Sequence, residues 1–321
     1  MQTSPLEFEK PIVDLEKMLE ELQQHSTEHE MDFKSEVSRL KKKIDETRNK
    51  IYSNLTPWQR VQIVRHPQRP YTLDYIQGIC DEFIELQGDR VYGDDKALIG
   101  GFARIDGRKF MVLGHQKGRD TRENLLRNFG CAHPEGYRKA LRLMQLANRS
   151  HLPILCLIDT PGAFPGIPSE ERHIAEAIAV NLREMFTFQV PILSIVIGEG
   201  GSGGALGIGV SDRVLILENS YYSVISPEGC ASILWKDRAF APDAADALKM
   251  TAPDLFELGV VEELIPEPAG GAHKNWKQVM YQVKSAILKH HHDLKRLKGT
   301  TLCKRRYERF RKFGPLLEPE H

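Results

Sequence analysis

The sequence predicts an α/β fold of serial strand–turn–helix units whose functional sites lie at the strand ends. Three observations predict it. "LPILCLIDTPGAFPG" (152–166) and "VPILSIVIGEGGSGG" (190–204) share a Pro-Ile-Leu opening, and each reads as a buried strand ending in a glycine-containing turn. The stretch between them, 170–186, reads as a helix, which completes one unit. Upstream, "ALIGGFARIDGRKFMVLGHQKG" holds two strand-like runs around Asp106-Gly107, a strong hairpin signal.

The remaining elements follow from spacing. Ile12, Leu15, Leu19 and Leu22 form one helical stripe, and Phe33, Val37, Leu40, Ile44, Ile51 and Leu55 continue it after the polar break "HSTEHEMD". This predicts a helical hairpin over 6–55, whose apolar face covers the chain's own core or docks on a partner. Residues 71–87 read as a third helical stretch, entered from "HPQRP", and 134–150 as an amphipathic helix with Tyr137, Leu141 and Met144 on one face. A third strand–turn–helix unit starts near Val214. A helix over 242–258 stops at Gly259, "VVEELIPEP" is a short strand, and 276–297 is a long helix. The tail "CKRRYERFRKFG" reads as a solvated or helix-end charge run, and not as a nucleic-acid arm. The division expected is a helical hairpin (1–60), a central α/β domain (61–270) and a C-terminal helical segment with the basic tail (271–321).

Charge and cysteines narrow the function. Lys plus Arg number 44, as do Asp plus Glu, so the basic excess of a nucleic-acid protein is missing and nucleic acid is not an expected partner. Five cysteines without a CxxC argue against a zinc ribbon or a disulfide framework and fit a reducing cytoplasm. The start, "MQTSPLEFEKP", lacks the apolar core of a signal peptide, and no apolar run is long enough to span a membrane. His290–His292 point in different directions on a helix and make a poor ligand set, so exposure is expected and no metal site is assigned.

Chemistry concentrates in "GEGGSGGALGIG" (198–209). Gly198-x-Gly200-x-x-Gly203, with Glu218 about 20 residues on, imitates a dinucleotide fingerprint. The span from Gly203 to Asp212 is too short for a parallel crossover, which needs about a dozen residues. Gly200-x-Ser202-x-Gly204 matches a nucleophile elbow, with His273 and one of Asp237, Asp243, Asp246 or Asp254 as unsupported partners. No Lys-Ser or Lys-Thr follows, which excludes a P-loop and with it a GTPase-like role for Asp159-Thr160 in "DTPG". Lys249 in "ALKM" imitates a biotin-accepting lysine, but its helical setting makes it a surface lysine. The reading that asks least of side chains uses the main chain. Unpaired N–H groups at the start of a helix, approached closely over Gly203 and Gly204, form an oxyanion hole.

Taken together, "HPQRPYTLDY", "GDRVYGDDKALIGGFARIDGR", "GHQKGR", "RNFGCAHPEGYRKALRLMQLA", "IDTPGAFPG", "EERHIAEAIAVNLREM", "IGEGGSGGALGIGVSD" and "YSVISPEGCASILWKD" resemble the alpha-subunit family of bacterial-type acetyl-CoA carboxylase carboxyltransferases. The resemblance runs over about 6–314 and weakens mainly at 284–303, which holds no site residue. It implies a ClpP/crotonase-like spiral of ββα units, flanked by the N-terminal helical hairpin and the C-terminal helices. It also implies transfer of a carboxyl group from carboxybiotin, borne on a biotin carboxyl carrier protein charged by biotin carboxylase, to acetyl-CoA. The product is malonyl-CoA for fatty acid synthesis. The implied assembly is two alpha and two beta subunits in the cytoplasm, with zinc on beta alone and no cofactor bound covalently to this chain.

Carried onto this sequence, the resemblance makes Gly203, Gly204 and Ala205 the backbone oxyanion hole for the biotin ureido oxygen. Gly200, Gly201 and Ser202 belong to the same turn, and Gly162 and Ala163 border the biotin pocket. His115, Lys117 and Arg119 fall near the site or the subunit seam, the two cations as holders of CoA phosphates or as solvated surface charge. Two other classes compete: a serine hydrolase using Ser202, and a non-catalytic scaffold.

Overall fold

The computed structural model describes residues 5–29 and 33–314. It opens on two paired helices, α1 (Lys10–His29) and α2 (Lys34–Tyr52), and the break expected between them falls partly at 30–32, outside the described residues. Ile12 and Ile44 are the buried members of the two stripes. Arg48 of α2 donates to Glu16 of α1 at 2.8 Å, and Tyr52 donates to buried Glu9 at 2.7 Å. Next comes α3 (Pro57–Val64), which Thr56 and Gln59 cap reciprocally, with Pro57 at the first helical position.

The helix predicted over 71–87 is shorter. It stops as α4 (Thr72–Ile79), Cys80 turns to extended backbone, and Glu82–Glu85 becomes β1. The reason is pairing: "EFIE" alternates, and it lies antiparallel along β2 (Leu98–Ile105), with Phe83 opposite Ala103. β2 turns into β3 (Arg108–His115) through Asp106 (φ 51°) and Gly107 (φ 73°), the double positive φ that a tight hairpin needs.

From β3 onward neighbouring strands run parallel. After α5 (Thr121–Leu126) and α6 (Pro134–Arg149) comes β4 (Ile154–Thr160), then α7 (Ile167–Glu171), α8 (Ile174–Met185) and β5 (Ile192–Gly201). The helix expected over 170–186 is thus broken, because His173 adopts φ 63°. A short α9 (Ser202–Leu206) leads to β6 (Arg213–Leu217), β7 (Tyr221–Ser223) and α10 (Pro227–Leu234). The helix expected over 242–258 divides into α11 (Ala241–Ala247) and α12 (Ala252–Glu257). Lys249 lies exposed in the turn between them at φ 48°, so it is a surface residue but not a helical one. Then come β8 (Glu263–Ile265), α13 (Trp276–Leu294) and α14 (Gly299–Arg311).

The sheet order is β1-β2-β3-β4-β5-β6-β8, with β7 beside the end of β5. β4 and β5 are central and buried along their whole length. One apolar core lies on the α6 and α8 face. The other packs β-sheet residues against α4 and α13 through Ile76, Val279, Val283 and Ile287. Each such side chain removed from water stabilises the fold by roughly 1.5–3 kcal/mol.

Two expectations at the C-terminus need correction. The basic tail is not simply solvated: Arg306 of α14 is fully buried, paired with Asp212 at 2.8 Å, and donates to the carbonyls of Met185, Phe188 and Val190. Nor is the histidine run exposed throughout. His290 is buried against Glu263 at 2.8 Å and His291 packs on Phe110, which leaves His292 in solvent. No helix among the described residues is long and apolar enough to cross a membrane.

Candidate active site

Most of the glycines at the end of β5 answer to packing. A Cβ on Gly198 would lie 2.2 Å from Asp159 Oδ1, one on Gly201 would lie 2.1 Å from the carbonyl oxygen of Pro161, and one on Gly204 would lie 2.4 Å from the carbonyl carbon of Gly162. The turns that follow β4 and β5 therefore lie backbone on backbone, which no side chain permits. Gly203 differs. A Cβ there meets only Ile178 Cδ1 at 3.8 Å, and Gly203 borders an apolar cavity of about 340 Å3 with Ser202, Leu206 and Val224.

The expected site residues thus come together around one turn. Gly200 and Gly201 end β5, buried; Ser202, Gly203, Gly204 and Ala205 form α9; Gly162 and Ala163 face Gly204 from the neighbouring turn. The N–H groups of Gly203 and Gly204 fall in the first turn of α9, where no earlier helical carbonyl accepts them, and no loop or side chain among the described residues caps them. Ser202 holds φ 52°, a sparsely populated conformation for a residue with a Cβ, and stands exposed at the mouth of the turn.

Beneath the turn lies a buried ionic cluster. Lys117 Nζ donates to Asp159 Oδ1 at 2.7 Å and to Glu199 Oε1 at 2.8 Å, so it ties the end of β4 to the end of β5. The N–H of Glu199 also donates to Asp159, and Glu199 Oε2 accepts from Arg65 at 2.8 Å and from the Tyr221 hydroxyl at 2.6 Å. Arg65 reaches on to Glu228 near the surface. Burial opposes the charge of Lys117, yet Asp159 and Glu199 outweigh it and hold the ammonium protonated well above its ordinary range. Burial likewise opposes the charge of Glu199, but Lys117 and then Arg65 bring its pKa down to about 2.

These contacts bear on the roles expected of the cations. Lys117 is largely enclosed, with 12% of its side chain exposed, and is engaged by two carboxylates. Arg119 donates to the carbonyls of Pro67 and Arg69, pairs with Asp74, and stacks on Tyr71 at 4.3 Å and Trp276 at 5.0 Å. Lys117 is thus not a solvated cation, whereas Arg119 stays exposed at the surface with its head group held by these partners. His115 is fully buried at the end of β3, and neither ring nitrogen has a hydrogen-bond partner. Burial, then Lys117, pushes its pKa down to about 3, with the Gly204 backbone pulling weakly the other way. No triad forms on Ser202 among the described residues. His273 stacks on His66 with ring centroids 3.9 Å apart, and burial brings its pKa to about 3.

A pH dependence follows. A histidine depressed from 6.5 to about 3 stays neutral in the native state while the unfolded chain takes up a proton. His115 and His273 therefore contribute stability fully above pH 6.5 and lose it as pH falls toward 3. The slope is about 1.4 kcal/mol per pH unit for each. Denaturant midpoints followed from pH 7 to pH 5 will fall steeply, and His115→Leu will flatten the slope by one such increment. An unchanged slope in that variant would refute the assignment. Glu199 behaves in the same sense but lower, losing its contribution as pH falls from 4.5 toward 2.

The geometry is thus a pair of amides at a strand end, uncapped among the described residues, with Gly203 beside an apolar cavity, Gly204 buried behind it and an ionic cluster beneath. A family model described as "Acetyl co-enzyme A carboxylase carboxyltransferase-like" matches residues 5–314. The chain belongs to this family. It is 53% identical over 313 residues to the acetyl-coenzyme A carboxylase carboxyl transferase subunit alpha of Geobacter metallireducens, and 55% identical over 314 residues to that of Xanthomonas axonopodis pv. citri. Both comparisons cover 98% of each chain. Among solved structures it is similar to the MdcD-MdcE hetero-dimer of Pseudomonas malonate decarboxylase, with TM-score 0.57, 16% identity, and 75% of this chain and 97% of that chain covered. It is also similar to transcarboxylase 12S, with TM-score 0.55, 18% identity and 80% of this chain covered, although it spans only 45% of that longer chain. At such identities the likeness is one of fold, and the fold is the crotonase-like one expected of the family.

For this carboxyltransferase-like chain, sequence reasoning missed the ionic cluster. Glu199 stands alone among apolar residues and glycines in "SIVIGEGG", and a carboxylate inside a fully buried strand signals a buried cation. That signal was present; which cation answers it was not.

Proposed function

We propose that this chain is the alpha subunit of the carboxyltransferase component of acetyl-CoA carboxylase, moving a carboxyl group from carboxybiotin to acetyl-CoA to give malonyl-CoA. The observation that carries the reading is the pair of uncapped amides of Gly203 and Gly204, the former beside an open cavity, with no side-chain nucleophile and base assembled there among the described residues. In this reading the two N–H groups hold the ureido oxygen of biotin. As the N–carboxyl bond breaks, its electron pair returns to the ureido group and carbon dioxide is released. The exposed ureido nitrogen takes a proton from the methyl group of acetyl-CoA, and the resulting enolate carbon bonds to carbon dioxide. The hole stabilises the anion without proton transfer from this chain, which suits a site whose nearest imidazole, His115, is held neutral by burial.

The wider assembly is part of the proposal. A beta subunit carrying a zinc ribbon completes the site in an alpha2–beta2 complex, a biotin carboxyl carrier protein delivers the substrate, and biotin carboxylase recharges it. The five unpaired cysteines support a cytoplasmic setting. The division into hairpin (1–60), carboxyltransferase domain (61–270) and C-terminal segment (271–321) is retained, with the hairpin as a docking element.

Reconstitution tests this. The chain alone will be inactive, and co-expressed with the beta subunit it will carboxylate acetyl-CoA. In that complex Ser202→Ala will keep at least about a third of the rate, because losing an oxyanion donor costs on the order of 100-fold whereas losing a spacer hydroxyl does not. Esterase activity of the isolated chain, abolished by Ser202→Ala, would establish the hydrolase instead.

A further inference from the structure

Two cavities border α14 on adjoining faces. The apolar one, about 340 Å3, begins at Ser202 and Gly203 and ends at Phe310 and Phe313. The other, about 580 Å3, lies toward the starts of β6 and β8. Both are bordered by Arg309 and Phe313, so they adjoin at the end of α14, and together they make the groove considered below. Arg309 is fixed there: it donates to Glu262 at 2.5 Å and to the carbonyl of Val260 at 2.6 Å. The apolar end is open to solvent, with Val224 77% and Leu206 38% exposed.

The far end is basic. Its carboxylates are already engaged: Asp212 by Arg306, Glu262 by Arg309, and Glu308 by Lys304 at 3.8 Å. Arg213, Arg305 and Lys312 line the same cleft and make no ion pair among the described residues. Arg305 and Lys312 are exposed and about two helical turns apart, and Arg213 is half-buried on a separate strand. A bound phosphate calls for converging, partly buried donors. Spread, solvated cations instead attract and orient an acidic protein surface.

We infer that this groove seats the partner that delivers the transferred group: an acidic carrier domain docks on Arg213, Arg305 and Lys312, and its biotinyl-lysine arm passes through the apolar cavity to the amides of Gly203 and Gly204. The inference rests on the carboxyl-transfer reading above. It adds to that reading the docking face and the path of the arm.

The test uses the complex of this chain with its beta subunit, and compares biotinylated carrier with free biotin as substrate. In Arg305→Glu/Lys312→Glu, the ratio of kcat/KM for carrier to that for free biotin will fall at least about tenfold, and carrier Kd will rise by a similar factor. The salt dependence of carrier binding will flatten as well. The neutral pair Arg305→Gln/Lys312→Gln will give a smaller change in the same direction, which separates charge from misfolding. An unchanged ratio overturns the inference. So does a rise in KM for the acyl-CoA in place of the carrier, which would make the groove a phosphate site. Tighter carrier binding on removal of 315–321, with no effect of charge reversal, would assign the groove to the chain's own end, and a changed sedimentation coefficient would assign it to a second copy. A wild-type complex inactive with free biotin as well would sink the carboxyl-transfer reading itself, a result distinct from all of these.

Discussion

Gly203→Val is expected to lower carboxyl transfer by at least about 100-fold, the usual cost of losing an oxyanion-hole donor. Stability will stay within about 1 kcal/mol of the parent, because glycine and valine differ by less than that in a helix. The prediction comes from the contrast between adjacent glycines. At Gly203 a new Cβ meets only Ile178 Cδ1 at 3.8 Å, so valine fits without moving backbone while its methyls crowd the residue that borders the cavity. At Gly204 it meets the backbone of Gly162 and Ala163 at 2.4 and 2.5 Å, so even Gly204→Ala must force the two turns apart. Loss of activity at Gly204 therefore mixes structural and chemical damage. Loss at Gly203 with an unchanged melting temperature isolates the chemistry, and a Gly203→Val complex that retains full rate would remove the amides from the mechanism.

Lys117→Met is expected to cost about 3–5 kcal/mol of stability, the range seen when one partner of a buried ion pair is removed. The substitution leaves Asp159 and Glu199 facing each other without their shared cation, at 3% and 7% side-chain exposure. Adding Asp159→Asn to Lys117→Met will recover a substantial part of the loss, since Asp159 is the carboxylate left without a cation while Glu199 keeps Arg65. A double-mutant cycle on denaturant midpoints reads the coupling directly. Additive losses would mean that Lys117 fills space and does not clamp the strand ends. Activity will fall with the clamp, because the turns that present Gly162 and Gly204 are the continuations of the strands it joins.

How much of this was legible in the residues varies with the range of the interaction. The hairpin at Asp106-Gly107 and the strands at 154–160 and 192–201 follow from local rules, and the structure has them at those positions. Boundaries failed where tertiary contacts override helix periodicity. "EFIE" pairs with β2 and leaves the helix at Ile79, while His173 and Lys249 take positive φ and split two helices that spacing alone draws as continuous. The glycine turn was legible as a place for main-chain chemistry. That most of its glycines serve backbone contact with the 160–163 turn was not, because the contact joins segments about forty residues apart. The cations were the least legible. Lys117, Arg119 and Arg306 look like surface charge in sequence, and each is bound by groups from distant segments.

The central claim is that uncapped amides at one strand end hold the developing anion of biotin. A crystal structure of the complex with the beta subunit and bound biotin tests it most directly. The account predicts the ureido oxygen about 2.7–3.1 Å from the nitrogens of Gly203 and Gly204, the reach of an oxyanion-hole donor. Biotin bound elsewhere, or those amides donating to a protein carbonyl in the assembled complex, would contradict it.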